Sequence, residues 1–278
     1  MNIPRHWARA TADVRDPGGR ELELAAWGWS AANRGEAERK ARERLDAMIA
    51  RVRQGAPLPH GYGYGTRALR EEIVQELAGP DGAAAGIVTR NGYGALVLNT
   101  ARTMFVDVDL PEPPGALRRL FGGGAGAEAE VLGRLRQTLH AHSIGSFRVY
   151  RTAAGFRVLA TDPLFTPGSP EAEGLMIALG ADPAFVKLCR AQQSFRARLT
   201  PKPWRCERRP PPSQHPREDP GTRQAFATWL ADYDAVCRTK ATCRFVEAVG
   251  GTRVHREAAP LLDLHDRATR AGEPLPLA

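Results

Sequence analysis

The chain has 278 residues, with 39 Lys and Arg against 31 Asp and Glu, for a formal net charge of +8. An apolar fraction of 42% is ordinary and supports a sizeable core. No apolar run approaches the roughly 18 residues of a membrane-crossing helix, so no membrane partner is expected. The basic balance fits a polyanionic partner, nucleic acid or nucleotide, although an Arg-rich, Lys-poor chain carries such a charge in any case. Met1–Trp7 lacks the apolar stretch of a secretory signal. Cys189, Cys206, Cys237 and Cys243 are scattered, and the gap from Cys237 to Cys243 is too long for a zinc knuckle. Reduced thiols and a cytoplasmic location are the expectation.

Glu21–Trp29 alternates and predicts a strand, with Leu22 and Leu24 on one face and Trp27 and Trp29 on the other. Asn33 then caps a helix running to Arg53, whose core stripe is Ala37, Ala41, Leu45, Met48 and Val52. His60–Gly65 is a glycine–tyrosine loop without the Lys-Ser/Thr of a phosphate-binding loop. Thr66–Leu77 is expected to be a short helix. Ile87–Arg90 and Ala95–Leu98 flank Asn91-Gly92, the strongest short signal for a hairpin. A second turn at Asn99–Arg102 is expected to extend that hairpin into a three-stranded meander with the next strand.

That strand, Met104–Leu110, carries the chemistry. Met104, Val106, Val108 and Leu110 share one apolar face, and Phe105, Asp107 and Asp109 share the other. Residues two apart on a strand lie roughly 6.5–7 Å from each other, close enough for two carboxylates to converge on one divalent cation. Like charges there repel unless a cation or a basic side chain offsets them. A solvated strand end and a pairing with Arg are the plainer alternatives.

Further on, Glu128–His142 reads as a helix. Phe147–Arg151 and Phe156–Ala160 form a second hairpin carrying Arg148, Arg151 and Arg157. Helices are expected over Pro170–Gly180, after Asp182-Pro183, and over Thr222–Val236, Ala241–Val249 and Glu257–Ala271. Phe195–Arg205 alternates basic and apolar residues. There Arg196, Arg198, Lys202 and Arg205 are candidates for phosphates, and Trp204 for stacking on a base; a solvated edge strand defended by charge and proline is the equal alternative. His265-Asp266 is too short a motif to assign a role.

Three stretches together resemble the catalytic core of the archaeo-eukaryotic primase (primase-polymerase) superfamily. Asp107-Val-Asp109 is similar to its Asp-x-Asp/Glu metal motif, and Thr152–Leu159 to its Ser-Gly-x-Gly-x-His hairpin. Phe195–Lys202 is similar to its basic segment. The resemblance covers about residues 85–205. It implies an RRM-like α+β core and metal-dependent nucleotidyl or phosphoryl transfer. Asp107 and Asp109 would be catalytic and would bind Mg²⁺ or Mn²⁺. Arg148, Arg151, Arg157, Arg196, Arg198 and Lys202 would hold triphosphate or strand. Arg157 falls where the family has His, and the third carboxylate is open between Asp162 and Asp182.

The expected fold is α+β, an antiparallel or mixed sheet of two hairpin units covered on one side by helices, with a helical C-terminal part. The expected divisions are 1–84 packing on the core, the core 85–205, an exposed linker 206–221 and C-terminal helices 222–278. Two other readings stay open. One is a non-catalytic nucleic-acid or nucleotide-binding module. The other is a protein-interaction domain whose Asp pair only neutralises Arg.

Overall fold

In the computed structural model, residues 1–58, 68–111, 124–142 and 145–278 are described. The Tyr62/Tyr64 loop lies outside them, as does most of the glycine stretch before residue 126. The chain divides into two units, 2–72 and 73–278. The division falls after Glu72, the first residue of the strand at 72–78, and residues 206–278 fall in the same unit as 85–205.

In the smaller unit, alternating Ala8, Ala10, Ala12 and Val14 build strand β1 (His6–Arg15), which the sequence reading had not singled out. It pairs antiparallel with β2 (Glu21–Ser30), placing Trp7 opposite Trp29. Helix α1 (Arg34–Arg53) starts at Asn33, whose side chain accepts from Glu36 N at 2.8 Å. Its Ala37, Ala41, Leu45 and Val52 are buried on the hairpin, as the stripe predicts.

Gly28 makes the contact between helix and hairpin possible. A Cβ there would lie 2.0 Å from the Ala37 carbonyl oxygen and 2.3 Å from Ala41 N. Both atoms are helix backbone and cannot step aside. Gly28→Ala is expected to cost about 3 kcal/mol, the upper part of the range for overpacking, and to raise hydrogen exchange along α1. Unchanged exchange in α1 would show that the helix has room to move.

The larger unit holds two four-stranded sheets. One runs β3 (Glu72–Ala78), β4 (Ala84–Arg90), β5 (Leu96–Thr100), β9 (Phe195–Arg198). The other runs β10 (Cys243–Gly250), β7 (Ser146–Thr152), β8 (Gly155–Asp162), β6 (Phe105–Asp109). The α+β class and both predicted hairpins are present. The meander is not. After β5 the chain turns through Thr100–Thr103, where the Thr100 hydroxyl donates to the Thr103 carbonyl at 2.5 Å, and β6 enters the second sheet. β5 takes β9 as its partner instead.

Two expected helices are strands. Ile73, Val74 and Leu77 have helical spacing, but they lie on the outer strand β3, where half-exposed residues blur the two-residue period. In β10 a register shift between Phe245 and Glu247 breaks the alternation, and the apolar residues then fall at three-residue steps.

The second sheet is covered on both faces, not one. Met104, Val106, Val108, Phe147, Val149, Phe156 and Val158 pack with α2 (Gly124–Ala141), α3 (Pro170–Leu179) and α4 (Pro183–Gln192). On the opposite face Phe105, Tyr150 and Leu159 meet Val88, Leu98 and Leu261 of α6 (Ala258–Thr269). Whatever polar side chains β6 and β8 place on that face must find partners inside the protein. α5 (Pro220–Cys237) packs elsewhere, along the segment that follows β9.

Candidate functional site

β6 and β8 run antiparallel with Asp107 opposite Arg157 and Asp109 opposite Gly155. Only glycine fits at 155, because a Cβ would lie 2.0 Å from the Val108 carbonyl oxygen. The Arg157 guanidinium donates from Nε to Asp107 Oδ1 at 2.7 Å and from Nη2 to Oδ2 at 3.0 Å. This fork geometry is the strong form of a carboxylate–guanidinium pair. Its Nη1 donates to the Arg198 carbonyl oxygen at 2.8 Å and to His265 Nε2 at 3.2 Å. Arg157 is 1% exposed, and four of its five N–H donors are hydrogen-bonded to protein in this way. Burial alone would raise the Asp107 carboxyl, but the Arg157 charge outweighs it and holds the group below the usual carboxylate range.

The network continues inward. An Arg cannot accept a hydrogen bond, so His265 Nε2 is the acceptor and the ring proton sits on Nδ1. Nδ1 donates to Asp266 Oδ1 at 2.9 Å. Burial, with the neighbouring Arg157 charge, lowers the His265 pKa, which fits a neutral ring. Asp266 Oδ2 accepts from Arg148 Nη2 at 3.2 Å, and Arg148 Nε donates to the Tyr150 hydroxyl at 2.8 Å.

Cys243 Sγ lies 3.9 Å from His265 Nε2, so Cys243, His265 and Asp266 stand in the order of a cysteine-hydrolase relay. The relay cannot work. Cys243 is 0% exposed, burial pushes its thiol up to about 11, and Arg157 already occupies the nitrogen that would accept the proton.

The arginines expected to hold phosphate thus separate into two groups. Arg148 is engaged by Asp266 and Tyr150. Arg151 pairs with Glu128 at 3.0 Å and donates to the Gly155 carbonyl at 3.0 Å. Arg157 is enclosed. Arg196, opposite Asn99 in the register, is buried and donates to Asn99 Oδ1 at 2.5 Å. All four guanidinium groups thus have hydrogen-bond or ion-pair partners within the protein.

Arg198, Lys202 and Arg205 are different. Among the described residues none of their side-chain nitrogens has a hydrogen-bonded acceptor or an ion-pair partner. Burial is the largest influence on Arg198 and disfavours its charge; Asp107 counters this, while Arg157 and Arg205 add repulsion. Lys202 is likewise lowered by burial and by Arg198 and Arg205, against the pull of Asp109 and Asp107. The three cations and the acidic strand therefore share one electrostatic neighbourhood.

This basic segment is held firmly. Leu199 N donates to the Leu96 carbonyl at 2.8 Å, and Leu96 N donates to Thr200 Oγ1 at 2.9 Å. The Tyr233 hydroxyl of α5 donates to the Pro201 carbonyl at 2.6 Å. A single 3₁₀ turn, Pro203–Cys206, then carries Trp204 and Arg205.

A metal ion fits the donor set poorly. Both Asp107 oxygens are hydrogen-bonded to Arg157, Asp109 is exposed on the strand end, and no group of three or more His, Cys, Asp or Glu gathers among the described residues. Two carboxylates, one of them clamped, fall short of what two-ion phosphoryl transfer requires. Comparison with known protein families, characterised proteins and solved structures finds no match to the chain.

The tie between Arg157 and His265 could not be read from local sequence, because the two are 108 positions apart. Tyr93, which stands beside Trp204 with ring centroids 5.2 Å apart, reads from sequence only as a turn residue.

Proposed function

We propose that the chain is a binding module for a phosphate-bearing ligand, nucleic acid or nucleotide, and that its acidic strand serves structure rather than catalysis. The observation that carries this reading is Arg198, a half-buried guanidinium without a hydrogen-bonded acceptor among the described residues. Lys202 and Arg205 add charge beside it, on a segment that hydrogen bonds hold in place. Such prepositioned cations bind phosphate without paying for the ordering of a flexible loop.

The test is fluorescence anisotropy with a labelled oligonucleotide over a range of salt. Arg198→Ala is expected to weaken binding about 10- to 100-fold, the scale of a charge-assisted contact. Lys202→Ala is expected to lower the salt slope by about one. Wild-type protein that does not bind at low salt, or two variants that bind as well as it does, overturns the reading. Mn²⁺ is expected to leave the melting temperature unchanged. A Mn²⁺-dependent rise that disappears in Asp109→Ala would instead favour the metal-dependent transfer expected from the primase resemblance, with Asp107 and Asp109 as ligands.

A further inference from the structure

Two aromatic side chains beside the basic segment are not used by the core. Trp204 is 48% exposed and Tyr93 is 52% exposed. They meet edge to face, with centroids 5.2 Å apart and planes at 89°. Lys202 Nζ stands 5.4 Å from the Trp204 centroid. An edge-to-face pair takes one of the four ring faces, and Lys202 takes at most one more. About half of each residue's surface stays open to solvent, where a flat ligand can reach it.

Both rings are mounted on rigid supports. Tyr93 is at the tip of the β4–β5 hairpin, where Asn91 Oδ1 accepts from Tyr93 N at 3.0 Å and from Ala95 N at 3.1 Å. Gly94 follows with φ +84°, a conformation that closes the turn and that a side chain rarely adopts. Trp204 sits on the 3₁₀ turn that the Tyr233–Pro201 hydrogen bond anchors. Large rings held stiffly at the surface lose little conformational entropy when they bind.

The cations lie on the same segment as the ring: Lys202 two residues before Trp204, Arg205 one after, and Arg198 at the end of β9. In a duplex each base is already stacked on both sides. A single strand offers both its phosphates and the faces of its bases, and stacking on aromatic rings is the usual way such strands are held.

We propose that the anionic partner is a single-stranded nucleic acid, one base lying on the Trp204–Tyr93 pair while neighbouring phosphates meet Lys202, Arg205 and Arg198; this rests on the phosphate-binding reading above. The pair confers the preference for unstacked bases, and the cations supply affinity common to any phosphate chain.

The experiment compares three labelled probes of about twelve nucleotides, within the span of typical single-strand sites. They are an oligo-dT single strand, a duplex of equal length, and an abasic deoxyribose-phosphate strand. Wild-type protein is expected to favour the single strand over the other two by at least about 5-fold, the lower end for one stacked base. Trp204→Ala and Tyr93→Ala are expected to erase that preference while abasic binding stays unchanged. Trp204→Phe, which keeps an aromatic face, is expected to retain most of it. Equal affinity for all three probes overturns the stacking proposal and leaves phosphate binding standing. So does an equal loss for dT and abasic strands in Trp204→Ala. Failure of every probe to bind overturns both.

Discussion

Replacing Asp107 with Ala is expected to destabilise the larger unit by about 3 kcal/mol. The variant would keep Arg157 in a site where it is 1% exposed and would remove the carboxylate that takes two of its hydrogen bonds. Breaking a buried pair from one side typically costs about 3–5 kcal/mol, because the remaining charge is left without compensation. The Asp107 side chain is 36% exposed, which places the expectation at the lower end of that range. The double variant Asp107→Leu, Arg157→Met removes both charges together and is expected to return to within about 2 kcal/mol of wild type. It does not return fully, since the Arg198 carbonyl and His265 Nε2 lose their donor. Urea denaturation of wild type, both single variants and the double completes the cycle. Additive losses, with no recovery in the double, would show that the two side chains act independently.

The second large effect is a loss of stability in acid centred on His265. Its pKa is lowered in the folded protein, so the unfolded chain takes up a proton that the folded one refuses. Unfolded chains bind more protons in that window, so stability rises with pH there. The contribution is complete above the ordinary imidazole value of 6.5 and falls as pH drops beneath it. The slope is at most about 1.4 kcal/mol per pH unit, until the folded pKa is reached. The groups that face the ring set this behaviour. Arg157 and the raised Cys243 thiol stand at Nε2, Asp266 accepts from Nδ1, and Phe105 and Tyr150 enclose the ring at centroid distances of 5.2 and 4.9 Å. Asp266 and Asp107, both lowered, add their own acid-sensitive stability, lost as pH falls through their depressed values. His265→Gln, with a neutral amide in place of the ring, is expected to flatten the pH dependence just below 6.5 and leave the steeper acid limb. A wild-type profile already flat in that range would mean that His265 protonates without cost.

Much of this was readable in the residues. Asn33 and the Ala37–Val52 stripe specify α1 because capping and periodicity are local. Asn91-Gly92 specifies a hairpin for the same reason. The two faces of Met104–Leu110 were also legible, one apolar and one acidic. What the acidic face meets was not. Asp107 finds Arg157 because β6 pairs with β8, and Arg157 finds His265 because α6 closes over that face. Neither partnership leaves a mark near the residues concerned. Strands β3 and β10 were misread for a physical reason. On outer strands the contrast between inward and outward residues is weak, and in β10 an extra residue destroys the period altogether. Of the basic residues, Arg157 and Arg196 stand opposite Asp107 and Asn99 across strand pairs and donate to them. Arg198, the last residue of β9, faces Val97, which offers it no polar side chain, and Lys202 and Arg205 lie beyond the strand.

The interleaving of the two sheets also bears on how the chain is made. β5 emerges early in synthesis, yet its outer neighbour β9 is contributed only by residues 195–198. β7 waits still longer, for β10 at residues 243–250. A nascent chain therefore carries bare strand edges over much of its translation, and Arg157 remains without His265 until α6 leaves the ribosome. Products shortened before residue 258 should be strongly dependent on chaperones, whatever the ligand status of the finished protein.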